Sequence, residues 1–136
     1  MTSNGASMSV SSRVGTAAVA LVIGVLYGVL ATIGHRNVLR LGDLVLNWGL
    51  VAALAGVLAL LLGIRLVGGG RWPAAAAAVG VVGAVALLTL PGSGGSVLIA
   101  GDVTGTIWSV GPALLAVLVV AWPDLSGTSP RSRRDA

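Results

Sequence analysis

VGTAAVALVIGVLYGVLATIG, Val14 to Gly34, is a run of 21 residues without a charge. Coiled as a helix at about 1.5 Å per residue, it covers about 31 Å, the thickness of a bilayer's hydrocarbon core. Three more apolar runs follow, over residues 44–64, 73–90 and 106–122. The last lengthens if its helix starts near Val103. Each run is continuous enough to read without periodicity. The expected fold is all-α and integral to a membrane, with four transmembrane helices in an up-down bundle. That domain covers residues 14–124, between a polar, disordered N-tail of residues 1–13 and a basic, disordered C-tail of residues 125–136.

Composition agrees. Of 136 residues, 56% are hydrophobic and 9% charged, and the mean hydropathy is +1.01. A soluble domain is about one quarter charged. The imbalance excludes an ordinary globular enzyme, a disordered chain and, with no cysteine, a disulfide scaffold. The sequence pI of about 11.5 points to no nucleic-acid partner, because the positive charge is not gathered on one soluble face. The first partner implied is the lipid bilayer. There is no Lys, Glu, Gln or Phe, and the abundance of Ala, Gly, Val and Arg matches GC-rich codons.

The connections fit this plan. Gly34 is expected to end the first helix in a left-handed turn, and Pro73 suits a first helical turn. Gly68-Gly69-Gly70 and Pro91-Gly92-Ser93-Gly94-Gly95-Ser96 read as loops. Val97–Gly101 is too short to span and fits a re-entrant or interfacial piece. Val29-Leu30-Ala31 leaves a cleaved signal peptide as a competing reading, with three spans after a start at Thr32; the length of the apolar run and the barely basic tail favour a retained span.

Orientation follows from the arginines. With four spans, Arg13, Arg65, Arg71, Arg131, Arg133 and Arg134 share one side, six against the two of Arg36 and Arg40. The positive-inside rule then puts both termini in the cytoplasm, in a bacterial inner membrane. Trp72 and Trp122 are expected as interface anchors at the inner ends of spans, Trp48 and Trp108 at the outer ends.

Within the spans, the clearest pattern is a ladder of small residues four apart: Thr16, Ala20, Gly24, Gly28, Thr32. Gly24 and Gly28, with Gly56 and Gly80 in later spans, permit close helix approach. The ladder serves either packing inside the bundle or a contact with a homodimer mate or a larger membrane-protein partner. No Asp, Arg or His lies at the centre of a span, where proton relays and ion-coupled transporters carry an ionisable group. Tyr27 is the polar side chain lying well inside, and its hydroxyl should find a carbonyl or snorkel.

On the outer side His35, Arg36, Arg40, Asp43, Asn47 and Asp102 form a possible polar cluster. Asp43 is placed as the N-cap of the second helix, sharing a helical face with Asn47. Asp102 is placed as a partner for Arg36 or Arg40. Nothing has the spacing of a metal site, and no nucleophile elbow, phosphate loop or cysteine is present, so no catalytic residues, metal or cofactor are assigned. Pro112 should kink the fourth helix, since it lacks an N–H and collides with the carbonyl of Trp108.

Gly101-Asp102, Gly105, Trp108, Pro112 and Trp122-Pro123, about 23 residues with the general layout, resemble uncharacterised small four-span membrane proteins of high-GC actinobacteria. That resemblance implies a fold and a compartment and carries over no site residues. The plan is also similar to that of the small multidrug resistance transporters, but their membrane-embedded Glu has no counterpart here. The expected role is a small non-enzymatic multi-pass membrane protein, an accessory or scaffolding subunit acting through helix–helix contacts. The alternative is a small oligomeric transporter or channel with an external polar mouth.

Overall fold

The structure is a computed structural model that describes residues 9–92 and 101–123. It is mostly helical: α1 Val10–Gly34, α2 Trp48–Val67, α3 Arg71–Thr89 and α4 Val103–Ala121. All four are long and apolar enough to cross a membrane. Residues 1–8, the expected re-entrant piece up to residue 100, and the C-tail lie outside the described residues.

Helix α1 begins before the charge-free run. The Ser9 side chain accepts from the Ser12 N–H at 3.3 Å, capping the helix one turn early and carrying Arg13 into it. Its other end also differs from expectation. Gly34 is not left-handed, because the positive-φ glycines are Gly42, Gly69 and Gly70. The chain instead continues right-handed into His35, whose N–H bonds Ala31 O at 2.8 Å. The Gly34 carbonyl accepts from both the backbone and the side-chain amide of Asn37, at 3.1 and 3.0 Å.

The second helix starts at Trp48, not at residue 44. Residues 44–46, placed in its first turn, form instead the strand β2 Leu44–Leu46, antiparallel to β1 Leu39–Leu41. Gly42-Asp43 is its two-residue turn, with Gly42 at φ 62° and Asp43 not at positive φ, the sign pattern of a type II′ turn. Asp43 is therefore not a helix cap. That position falls to Asn47, whose side chain makes no capping bond, and the two residues share no helical face. Apolar content alone does not separate Leu-Arg-Leu and Leu-Val-Leu strands from a helix; the Gly-Asp turn decides.

The core centres on α1 against α3, the most extensive helix pair, while α1 against α2 is among the slightest. A methyl on Gly24 would collide with the Ala77 carbonyl, and one on Gly28 would meet Val81 O and Ala84 Cβ, each at 2.9 Å. From the other side, Gly80 faces the backbone of Leu21 and Val25. The ladder's two glycines are thus consumed inside the chain, and Ala20, Gly24, Gly28 and Thr32 are all buried. Gly56 instead makes room for a side chain. A methyl there would strike the Tyr27 phenol, whose hydroxyl donates to Ala53 O at 2.9 Å.

Helix α4 runs through Pro112 in one piece, and Pro112 is among the most deeply buried side chains. The Ser109 hydroxyl donates to Gly105 O at 2.8 Å, not to the carbonyl that Pro112 frees. At the far end of α4, the Arg65 guanidinium donates to the carbonyls of Val119 and Trp122. A cation from α2 so caps the negative end of α4.

These glycine environments make a direct comparison. Gly24→Ala should cost about 1–3 kcal/mol through overpacking. Gly83→Ala, where an added methyl meets nothing within 4 Å, should be neutral or stabilising by up to about 1 kcal/mol from helix propensity. Unfolding of the detergent-solubilised variants measures both, and equal effects would deny the α1–α3 contact.

Candidate functional site: a buried histidine at the bundle end

The expected outer polar cluster divides in two. His35, immediately after α1, is wholly buried, while Arg36 and Asp102 pair at its side. Arg40 and Asp43 lie on the exposed hairpin, and Asn47 joins that hairpin to α2.

The buried part is built by α1 and α4. Residues Gly105, Trp108, Pro112, Ala116 and Val119 recur at three or four apart and form the inward stripe of α4. Trp108 is therefore 0% exposed, which overturns its placement as an interface anchor. Its ring stacks on His35, with centroids 5.4 Å apart and planes inclined by 13°. Its indole N–H donates to Thr32 Oγ1 at 3.1 Å. The Thr32 hydroxyl in turn donates to Gly28 O at 2.7 Å, and the Thr32 carbonyl lies 2.5 Å from His35 Nδ1. Since a carbonyl only accepts, Nδ1 carries the proton and Nε2 presents a lone pair. That Nε2 is buried without a hydrogen-bond partner among the described residues.

A salt bridge seals the rim. Arg36 Nη2 donates to Asp102 Oδ1 at 3.1 Å, the pairing expected for Asp102. The same oxygen accepts from the Gly105 N–H at 2.8 Å, so Asp102 is also the N-cap of α4, a role its position before Val103 signals. The Gly105 amide, outweighing partial desolvation, holds the Asp102 carboxyl below its ordinary range, with further help from Arg36. Burial pushes the His35 imidazole down; the Thr32 carbonyl opposes this, Arg36 adds to it and Asp102 opposes it. The histidine is accordingly neutral in the folded chain near neutral pH.

Chemically this is a latch joining two helix ends. Among the described residues Nε2 has no hydrogen-bond partner, and no group of three His, Cys, Asp or Glu is placed to hold a metal. Trp48, Trp72 and Trp122 are exposed by 48%, 78% and 60%. Thr32 is the hub that sequence reading missed. Its spacing of three from His35 at a helix end, and the inward stripe through Trp108, were the available signals.

The lowered His35 value fixes a sign. Below pH about 6.5 the unfolded chain binds a proton that the folded chain resists, so stability falls as pH drops through that range. Melting in detergent should be lower at pH 5.5 than at pH 8. His35→Phe, which keeps a ring for Trp108 but does not titrate, should flatten that slope; an unchanged slope would clear His35 of the effect. Comparison with protein-family models, with curated proteins and with solved structures finds no match to this chain.

Proposed function

We propose that this chain is a non-enzymatic accessory or scaffolding subunit of a bacterial inner membrane. It crosses as an up-down bundle with both termini in the cytoplasm, and it acts by seating a transmembrane helix of a partner or a second copy. Six arginines against two support the orientation.

The carrying observation is a groove of about 450 Å³ between α1 and α2. The two helices meet where Tyr27 docks on Ala53 and Gly56, and separate toward Thr16 and Val67. Thr16, Ala20, Ala59 and Gly63 supply small residues along its walls, with Ile23 and Leu60 beside them. A methyl on Gly63 would meet nothing within 4 Å, so this glycine is spared by the internal packing that consumes Gly24 and Gly28. In lipid, helices associate through such close-fitting small-residue surfaces. In-span hydroxyls of Thr16, Tyr27, Thr89 and Ser109 each donate to a backbone carbonyl of the chain itself, which favours a packing role over a polar conduit.

A photo-crosslinking residue at Ala59, used in native membranes, should attach a defined protein, and Gly63→Leu should abolish the adduct without unfolding the bundle. Adducts to lipid alone would remove the proposal. Gly28→Leu is unsuitable here because it breaks the α1–α3 contact. The cysteine-free background allows a topology check with single cysteines at Ser3, Ser93 and Ser132: only Ser93→Cys should label from outside.

A further inference from the structure

The register of the hairpin pairs Leu39 with Leu46, Arg40 with Val45, and Leu41 with Leu44. Directly opposed residues share a face and neighbours alternate. Leu39, Leu41, Leu44 and Leu46 therefore form one face, and Arg40 with Val45 the other. The four leucines are 48%, 61%, 67% and 53% exposed, so nothing in the chain covers them among the described residues. A lone two-stranded hairpin is marginal in water and requires its apolar face to be buried.

Three constraints select the occupant. The first is tether length. Only Arg36, Asn37 and Val38 separate His35 from β1, about 10 Å of extended chain at most, and Asn47 alone joins β2 to α2. The hairpin is thus held at the boundary of the bilayer that α1 and α2 cross. The second is the backbone. A two-stranded ribbon leaves the outer N–H and C=O groups of both strands unpaired, which the hydrocarbon interior does not tolerate and the headgroup layer does. The third is charge, because Arg40 stands on the face opposite the leucines, where lipid phosphates would meet it.

We propose that the β1–β2 hairpin is an interfacial anchor. It lies flat at the boundary of headgroups and acyl chains, its four-leucine face on the chains and Arg40 among the phosphates. Its occupant is the lipid surface, and it adds to the bundle a lateral float that the four spans do not supply. The inference rests on membrane residence and is independent of any partner in the α1–α2 groove.

The test is depth-dependent quenching on the full-length chain, which has no native cysteine. Leu39→Cys, Leu41→Cys, Leu44→Cys and Val45→Cys are labelled singly with a small fluorophore and placed in phosphatidylcholine nanodiscs. Brominated acyl chains should quench the three leucine-face labels and aqueous iodide the Val45 label, so that the ratio of the two inverts between faces. Equal ratios at all four positions would overturn the anchor. So would leucine-face labels shielded from both quenchers, which would mean that protein covers the face.

Discussion

In hydrocarbon, where surrounding lipid is as apolar as leucine, helices are held by how closely their backbones approach. Among the described residues the most extensive helix pair, α1 with α3, is built on such an approach. Gly24, Gly28 and Gly80 leave no room for a methyl, and the buried residues of α3 are mainly alanine, glycine and valine. Bulkier side chains on α1, such as Leu26, Leu30 and Ile33, are displaced to the outside, where they are 59%, 68% and 68% exposed. With α1 committed to α3, α2 meets α1 at Tyr27, beside Ala53 and Gly56, and at Gly49, beside the Gly34 carbonyl and Asn37.

The two ends of the bundle are closed by different chemistry. At the α1–α4 end, a histidine, an indole and a threonine form a polar latch under an ion pair. At the other, Arg65 crosses from α2 to the last carbonyls of α4. Both devices meet the same demand, that helix termini near lipid find partners for their free backbone groups. Arg65 thus ties the last turn of α2 to the end of α4.

What the sequence made legible follows from what periodicity and length encode. Four apolar runs of bilayer length are read directly, and the spacing of Gly24 and Gly28 marks close approach. It does not say to what, because a stripe identifies a face and not the helix opposite; the answer came from Ala77, Val81 and Ala84. Trp108 shows a second limit. Tryptophan near a span end suits a membrane interface, yet the same residue continues the stripe of Gly105, Pro112 and Ala116, and the stripe prevails. The hairpin shows a third. Leucine reads equally as helix or strand, so an apolar stretch running from Leu44 conceals a strand whose only local sign is Gly42-Asp43.

The pairing of helices also bears on the order in which the bundle can consolidate. The most extensive contact joins α1 to α3, and the Arg65 cap joins α2 to α4, so each skips the next helix in the chain. Between α1 and α2 themselves the contact is slight, Tyr27 on Ala53 and Gly56 and Gly49 against the Gly34 carbonyl. The backbone that Gly24 and Gly28 approach, and the carbonyls that Arg65 caps, belong to helices that follow. Consolidation must therefore wait for the later spans. Until α3 and α4 pack against them, α1 and α2 share only this slight contact and the hairpin that joins them.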